Sequence, residues 1–257
     1  MATERLINII TPPFTSPLHL LVFGSTLLVY NAPRILRKAF ADENNSRGLY
    51  RNYRFWYFIF FAAGAVMAVS SFFWLSWRIL IASGILSIFA FAYSLPLLPL
   101  KKKKRLRDFG WLKIIVLATV WTVATSVLPL LYHNKNINSY PFEILLRFVL
   151  IFILCVVFDI RDMQTDLQND LYTLPNKMGL TNSFRLINIM LVIFAGLSIV
   201  QYIRYPSLER LVGALLTAVT TRIVAGYLQR HPSYRAYMSL ADGMMMLYSL
   251  LVMAPNL

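Results

Sequence analysis

Cysteine is nearly absent. Cys155 stands alone in 257 residues and lies inside an apolar run, so no intrachain disulfide can form. Histidine is as scarce: His19, His133 and His231 are scattered along the chain, which argues against a zinc site. Charge is the larger deficit. Asp, Glu, Lys and Arg make up 14% of the residues, where a soluble domain carries about a quarter, too few to cover a water-facing surface. Acid is the rarest charge, with 11 Asp and Glu against 25 Lys and Arg. The opening stretch 1–13 is mixed in character and too short to span a bilayer, and it is not read as a cleavable signal peptide.

What the chain has in abundance is apolar sequence, at 58% of residues with a mean hydropathy of +0.60. Long uncharged runs recur at about residues 17–36, 55–74, 79–98, 111–131, 142–158, 184–202, 208–228 and 237–254. Each is close to the roughly 20 residues that cross about 30 Å of hydrocarbon at 1.5 Å per residue. Backbone groups in lipid must pair within their own segment, so the runs are expected to be helices. The expected fold is an all-α integral membrane protein of about eight transmembrane helices, forming a single polytopic membrane domain over residues 1–257.

The connecting loops alternate in charge. Lys and Arg crowd residues 34–54, 101–113, 161–185 and 222–235, while the intervening loops hold little beyond Arg78, Lys135, Arg147, Arg204 and Arg210. The positive-inside rule places the first set in the cytoplasm, and it accounts for most of the net charge of +14 without nucleic acid as a partner. The extreme case is Lys101-Lys102-Lys103-Lys104-Arg105-Leu106-Arg107. It reads first as a juxtamembrane anchor and second as a phosphate-binding loop at the mouth of a site.

The few acids are not spread evenly. Asp159, Asp162, Asp166 and Asp170 follow the fifth apolar run at spacings of three, four and four. On a helix continuing that run they share one face, and like charges so placed destabilise an isolated helix by a few tenths of a kcal/mol per pair. A hard divalent cation offsets that repulsion. Clusters of carboxylate oxygen alone suit Mg²⁺, which typically takes one or two carboxylates plus substrate phosphates. The alternative is a solvated acidic helix end. Leu174-Pro175 is expected to terminate the helix.

The stretch Asp159-x-x-Asp162-x-x-x-Asp166, followed by Thr173-Leu174-Pro175 and Met178-Gly179, resembles the second aspartate-rich motif of the UbiA-type intramembrane prenyltransferases. Supporting matches run along nearly the whole chain: Tyr93-Ser94 before the basic loop, Arg107 and Lys113 leading into a span that carries Trp121, and Asp242-Gly243 in the last span. The resemblance implies nine helices around a central, lipid-open cavity, with Mg²⁺ holding the diphosphate of an isoprenoid donor on the cytoplasmic side. It implies catalytic and metal-binding roles for Asp159, Asp162 and Asp166. Substrate-binding roles fall to Asn31, Arg34, Lys38, Tyr93, Lys101, Arg107, Lys113 and Asp170. The implied reaction moves a prenyl group to a membrane-soluble, lipophilic acceptor, with aromatic acceptors among those the resemblance allows, in a bacterial inner membrane. The alternative function is a non-catalytic relative that binds isoprenoid or lipid diphosphates, or a small transporter.

Two departures from the family stand out. Its first motif, Asn-Asp-x-x-Asp-x-x-x-Asp, corresponds here to Asn31 followed by Ala32, Ile35 and Ala39 at the three aspartate positions, which implies one Mg²⁺ rather than two. Against the family's nine, one helix is expected to be lacking ahead of the first span, either because the start codon is misplaced or because the chain is natively short. Val29-Tyr30-Asn31-x-x-Arg34-x-x-x-Lys38 aligns with Val157-Phe158-Asp159-x-x-Asp162-x-x-x-Asp166, four spans later, which suggests two four-helix pseudo-repeats with a basic face in one matching the acidic face in the other. Arg222 and Asp242 lie within apolar spans, and an ion pair between them is the first expectation.

Overall fold

A computed structural model of the chain describes residues 3–4, 16–40, 47–94, 110–168, 171–231 and 233–253, with the side chains at 33–34, 36–40, 47–54, 91–94, 234–235, 238, 242 and 252–253 excepted. Every apolar run of the sequence forms a helix: α1 (Pro17–Phe40), α2 (Arg47–Phe72), α3 (Trp77–Ser94), α4 (Gly110–Thr122), α5 (Leu128–Tyr132), α6 (Pro141–Gln168), α7 (Leu174–Met178), α8 (Leu180–Arg204), α9 (Leu208–Arg230) and α10 (Tyr234–Met253). No strand occurs among the described residues. Five stretches are long and apolar enough to cross a membrane: Phe55–Phe72, Gly110–Tyr132, Pro141–Gln168, Leu180–Arg204 and Leu208–Arg230, with mean hydropathies from 1.6 to 2.5. Shorter apolar helices at Pro17–Ala32, Trp77–Ala90 and Ser239–Leu251 complete the pattern. The chain is an all-α integral membrane protein.

The chain divides into two compact units, residues 11–105 and residues 1–10 with 106–257. In the first unit Ser16 caps α1, its Oγ accepting the Leu18 N–H at 3.3 Å. The α1–α2 contact is built on glycine. A Cβ on Gly24 would sit 2.7 Å from the Gly64 carbonyl oxygen, and one on Gly64 would sit 2.8 Å from that of Gly24. Small residues let helix backbones approach closely in lipid, where apolar side chains gain nothing by leaving their surroundings. Phe73, Trp74 and Trp77 are exposed around the α2–α3 turn, the composition expected where a hairpin meets the membrane–water interface.

In the second unit α6 is the central element. It packs against α4, α8 and α10, while α9 packs on α8 and α10. Leu146, Leu150, Ile153, Val156, Val157 and Ile160 of α6 meet a core that includes Ile114 and Ala118 of α4, Ile187 and Phe194 of α8, and Tyr248 of α10. Ile189, Val192, Ile203, Val212 and Ile223 face outward, an apolar exterior that fits lipid rather than water.

The fourth span is not one regular helix. A π-helical turn, Val123–Val127, joins α4 to α5, with Pro129 in the first turn of α5. Proline has no N–H to give the carbonyl four residues back. That carbonyl belongs to Thr125, and it accepts the Thr3 hydroxyl at 2.6 Å instead. A side chain from the start of the chain therefore satisfies a backbone group that lipid could not.

Candidate functional site

The fifth span continues as one helix through Gln168, so Asp159, Asp162 and Asp166 sit on the last turns of α6. Pro175 does not end that helix, contrary to the sequence expectation. The helix stops ahead of it, and Pro175 lies in the first turn of the short helix α7, where its missing N–H costs nothing. The segment after α6 folds back on its end. Leu171 donates its N–H to the Asp166 carbonyl at 2.8 Å, and the Asn176 amide donates to the carbonyls of Met163 and Leu171 at 3.3 Å each.

The start of α4 closes against this turn. Gly110 has φ +44°, and a Cβ there would lie 2.6 Å from the Tyr172 carbonyl oxygen. Both the left-handed backbone and the close approach require glycine. That placement brings Lys113, one turn further on, to the aspartates. Its ammonium lies 2.7 Å from Asp159 Oδ1 and 3.3 Å from Asp166 Oδ2. Asp159 is 3% exposed and Asp166 8%, so the shared cation offsets a repulsion that burial would otherwise make expensive. Asp162 is engaged separately. Arg161 donates to both of its oxygens, Nε to Oδ1 at 2.7 Å and Nη2 to Oδ2 at 2.6 Å, while its guanidinium lies 5.1 Å from the Phe158 ring centroid. The Asp162 side chain remains 32% exposed.

These contacts bear on the implied Mg²⁺. Among the described residues no three His, Cys, Asp or Glu side chains converge as a metal cage. Asp159 Oδ2 is buried without a hydrogen-bond partner, and the cluster offers carboxylate oxygen only. One or two carboxylates suffice for Mg²⁺ when phosphate oxygens complete its shell. The donor set thus fits a Mg²⁺–diphosphate rather than a bare ion.

The other candidate residues divide as follows. Asn31 is buried in the first unit, its amide donating to the Leu27 carbonyl of its own helix at 2.7 Å. The side chains of Arg34, Lys38 and Tyr93, and all of Lys101, Arg107 and Asp170, lie outside the described residues. So does the side chain of Asp242, the expected partner of Arg222; Arg222 itself is exposed. Gly110, Arg161 and Asn176 were not anticipated as site residues. A glycine in front of a basic span, and the arginine and asparagine flanking the aspartates, are the signals that point to them.

A second polar cluster occupies the other end of α6. Glu143 accepts the Gln201 amide at 2.6 Å and lies 3.8 Å from Arg210. Buried Arg147 lies 5.2 Å from the Tyr248 ring centroid and donates to the Thr3 hydroxyl at 3.5 Å.

No protein-family model matches the chain, and no curated protein matches it. Solved structures do. An apo UbiA homologue from Aeropyrum pernix K1 aligns over 95% of this chain and 92% of its own, with TM-score 0.67 and 15% identity. A UbiA homologue from Archaeoglobus fulgidus bound to GPP and Mg²⁺ aligns over 94% and 90%, with TM-score 0.60 and 14% identity. A digeranylgeranylglyceryl phosphate synthase structure aligns over 92% and 85%, with TM-score 0.53 and 17% identity. The chain therefore has the all-helical membrane fold of the UbiA-type prenyltransferase homologues.

Proposed function

We propose that the chain belongs with the UbiA-type prenyltransferases and transfers a prenyl group from an isoprenoid diphosphate to a membrane-soluble acceptor. The observation that carries this reading is the end of α6, where Asp159 and Asp166 share Lys113 and Asp162 stays partly open. In the reaction the allylic carbon–oxygen bond breaks and its electron pair leaves on the diphosphate. The acceptor then bonds to the carbocation and gives up a proton. Asp159, Asp162 and Asp166 are the residues to hold Mg²⁺, which when bound neutralises charge on the leaving diphosphate. Lys113 stands beside the same carboxylates as a fixed cation for a phosphate oxygen. Arg161 holds the Asp162 carboxylate in one orientation through its paired donors.

Asn31, Arg34, Lys38, Tyr93, Lys101, Arg107 and Asp170 keep their assignment to substrate from the sequence. With Ala32, Ile35 and Ala39 at the first motif's acidic positions, the reading calls for one Mg²⁺. On this reading the protein sits in a bacterial inner membrane, and the basic loops support a site on its cytoplasmic side. Those same substitutions favour a second reading, a non-catalytic binder of isoprenoid diphosphates. Release of inorganic diphosphate by the purified protein separates the two. Turnover is expected in wild type with Mg²⁺ and is expected to fall by roughly 10²-fold in Asp162→Asn, the scale of losing one preorganised electrostatic contact. Diphosphate binding without release, at any Mg²⁺ concentration, establishes the binder.

A further inference from the structure

Each aspartate of the acidic face already has a cation from the chain itself. The Lys113 ammonium lies 2.7 Å from Asp159 and 3.3 Å from Asp166. Arg161 takes both oxygens of Asp162, at 2.7 and 2.6 Å. A bare divalent ion arriving here meets no uncompensated carboxylate. To reach the buried pair it must displace Lys113, and Mg²⁺ gives up its own water reluctantly. The displaced ammonium would then lack an anion, on a side chain only 13% exposed. An unpaired charge so placed is expensive.

Resting on the diphosphate reading of the site, we infer that Lys113 is a counterion gate. It keeps free Mg²⁺ off Asp159 and Asp166 and admits the metal only together with a diphosphate. The diphosphate brings what the bare ion lacks, an anion for the ammonium. Lys113 exchanges carboxylate for phosphate oxygen as the metal takes the aspartates, so no charge is stranded. The exchange needs the side chain alone. The start of α4 is pinned where Gly110 meets the Tyr172 carbonyl, while the four-carbon lysine stem is flexible. The pairing also has an incomplete side. Asp159 Oδ2 is buried with no hydrogen-bond partner, whereas a purely structural ion pair satisfies both oxygens of a buried carboxylate. Lys113 leaves an acceptor open on the group it shields.

The test is calorimetric titration and thermal unfolding of the full chain in detergent. The probes are Mg²⁺ alone, and Mg²⁺ with geranyl thiolodiphosphate, an analogue that does not ionise. For wild type, Mg²⁺ alone should give no saturable heat. It should raise the unfolding midpoint no more than potassium chloride of equal ionic strength. With the analogue present it should bind and raise the midpoint, as any ligand of the native state does. Lys113→Met should bind Mg²⁺ alone about tenfold or more tighter than wild type, the scale of one charge-assisted hydrogen bond no longer competing. Mg²⁺ alone should also restore part of that variant's lost thermal stability. A stability loss that Mg²⁺ does not repair makes Lys113 purely structural and overturns the inference. Whether or not the variant folds, wild type binding Mg²⁺ equally well with and without the analogue overturns the gate alone. Failure to bind the analogue at any Mg²⁺ concentration overturns the diphosphate reading and the gate with it.

Discussion

Removing the Lys113 ammonium leaves Asp159 and Asp166 buried without the cation they share. Breaking a buried ion pair from one side costs about 3–5 kcal/mol, because the surviving charge has lost its compensation. Lys113→Met should therefore lower stability in detergent by about that amount. Adding Asp159→Asn and Asp166→Asn should recover most of it, since amides carry no charge to strand. Thermal unfolding of the single and triple variants measures this, and equal midpoints would show that Lys113 is not what holds the carboxylates. Asp162 behaves differently at this scale. Its partner is its own chain neighbour, Arg161, and its side chain is 32% exposed, so Asp162→Asn perturbs the chemistry more than the fold.

Between elements, the contact most sensitive to a single atom is the α1–α2 crossing. A methyl group on Gly24 would lie 2.7 Å from the Gly64 carbonyl oxygen and 2.9 Å from the Ala68 nitrogen. Both are backbone atoms, so the helices must separate to admit it. Overpacking of this kind costs about 1–3 kcal/mol. Gly24→Ala is expected to destabilise by that amount in a thermal or denaturant melt. Gly84 of α3 has nothing within 4 Å of a built Cβ. Gly84→Ala should be neutral or stabilising by roughly 0.5–1 kcal/mol, because alanine gives up less backbone entropy in a helix. A matching gain in both variants would mean that helix propensity, not the crossing, sets the outcome.

Across the second unit, successive spans reverse direction, and the loops fall into two groups. The Glu143–Gln201 bond and the Phe142–Tyr205 ring pair bring the loops near Asn136 and Pro206 to one end. The acidic end of α6 lies at the other. Single cysteines at Gln168 and His231, in a Cys155→Ala background, should be labelled from one side of sealed vesicles, and those at Asn136 and Pro206 from the opposite side. By the positive-inside rule the first pair is the one expected to be labelled from the cytoplasmic side. Labelling of positions 136 and 168 from the same side would refute the arrangement.

The sequence by itself determined that the chain crosses a membrane and where its spans lie, because an uncharged run of about 20 residues has few other stable environments. It also determined that α6 runs on past the apolar stretch carrying three aspartates, because spacings of three and four are a local helical property. Only tertiary structure decided what those aspartates face. The partner of Asp159 and Asp166 is Lys113, on another helix, and its position depends on Gly110 packing against Tyr172. Nothing in the local pattern distinguishes that cation from the metal that the same carboxylates suit. The π-turn ahead of Pro129 was hidden for a related reason. A proline in an apolar span marks an unsatisfied carbonyl, but the hydroxyl that satisfies it comes from Thr3, far away in sequence. The polar cluster at Glu143 likewise forms only when residues from α6, α8 and α9 meet. Local periodicity specifies helices, and long-range contacts between scarce polar groups specify what the helices enclose.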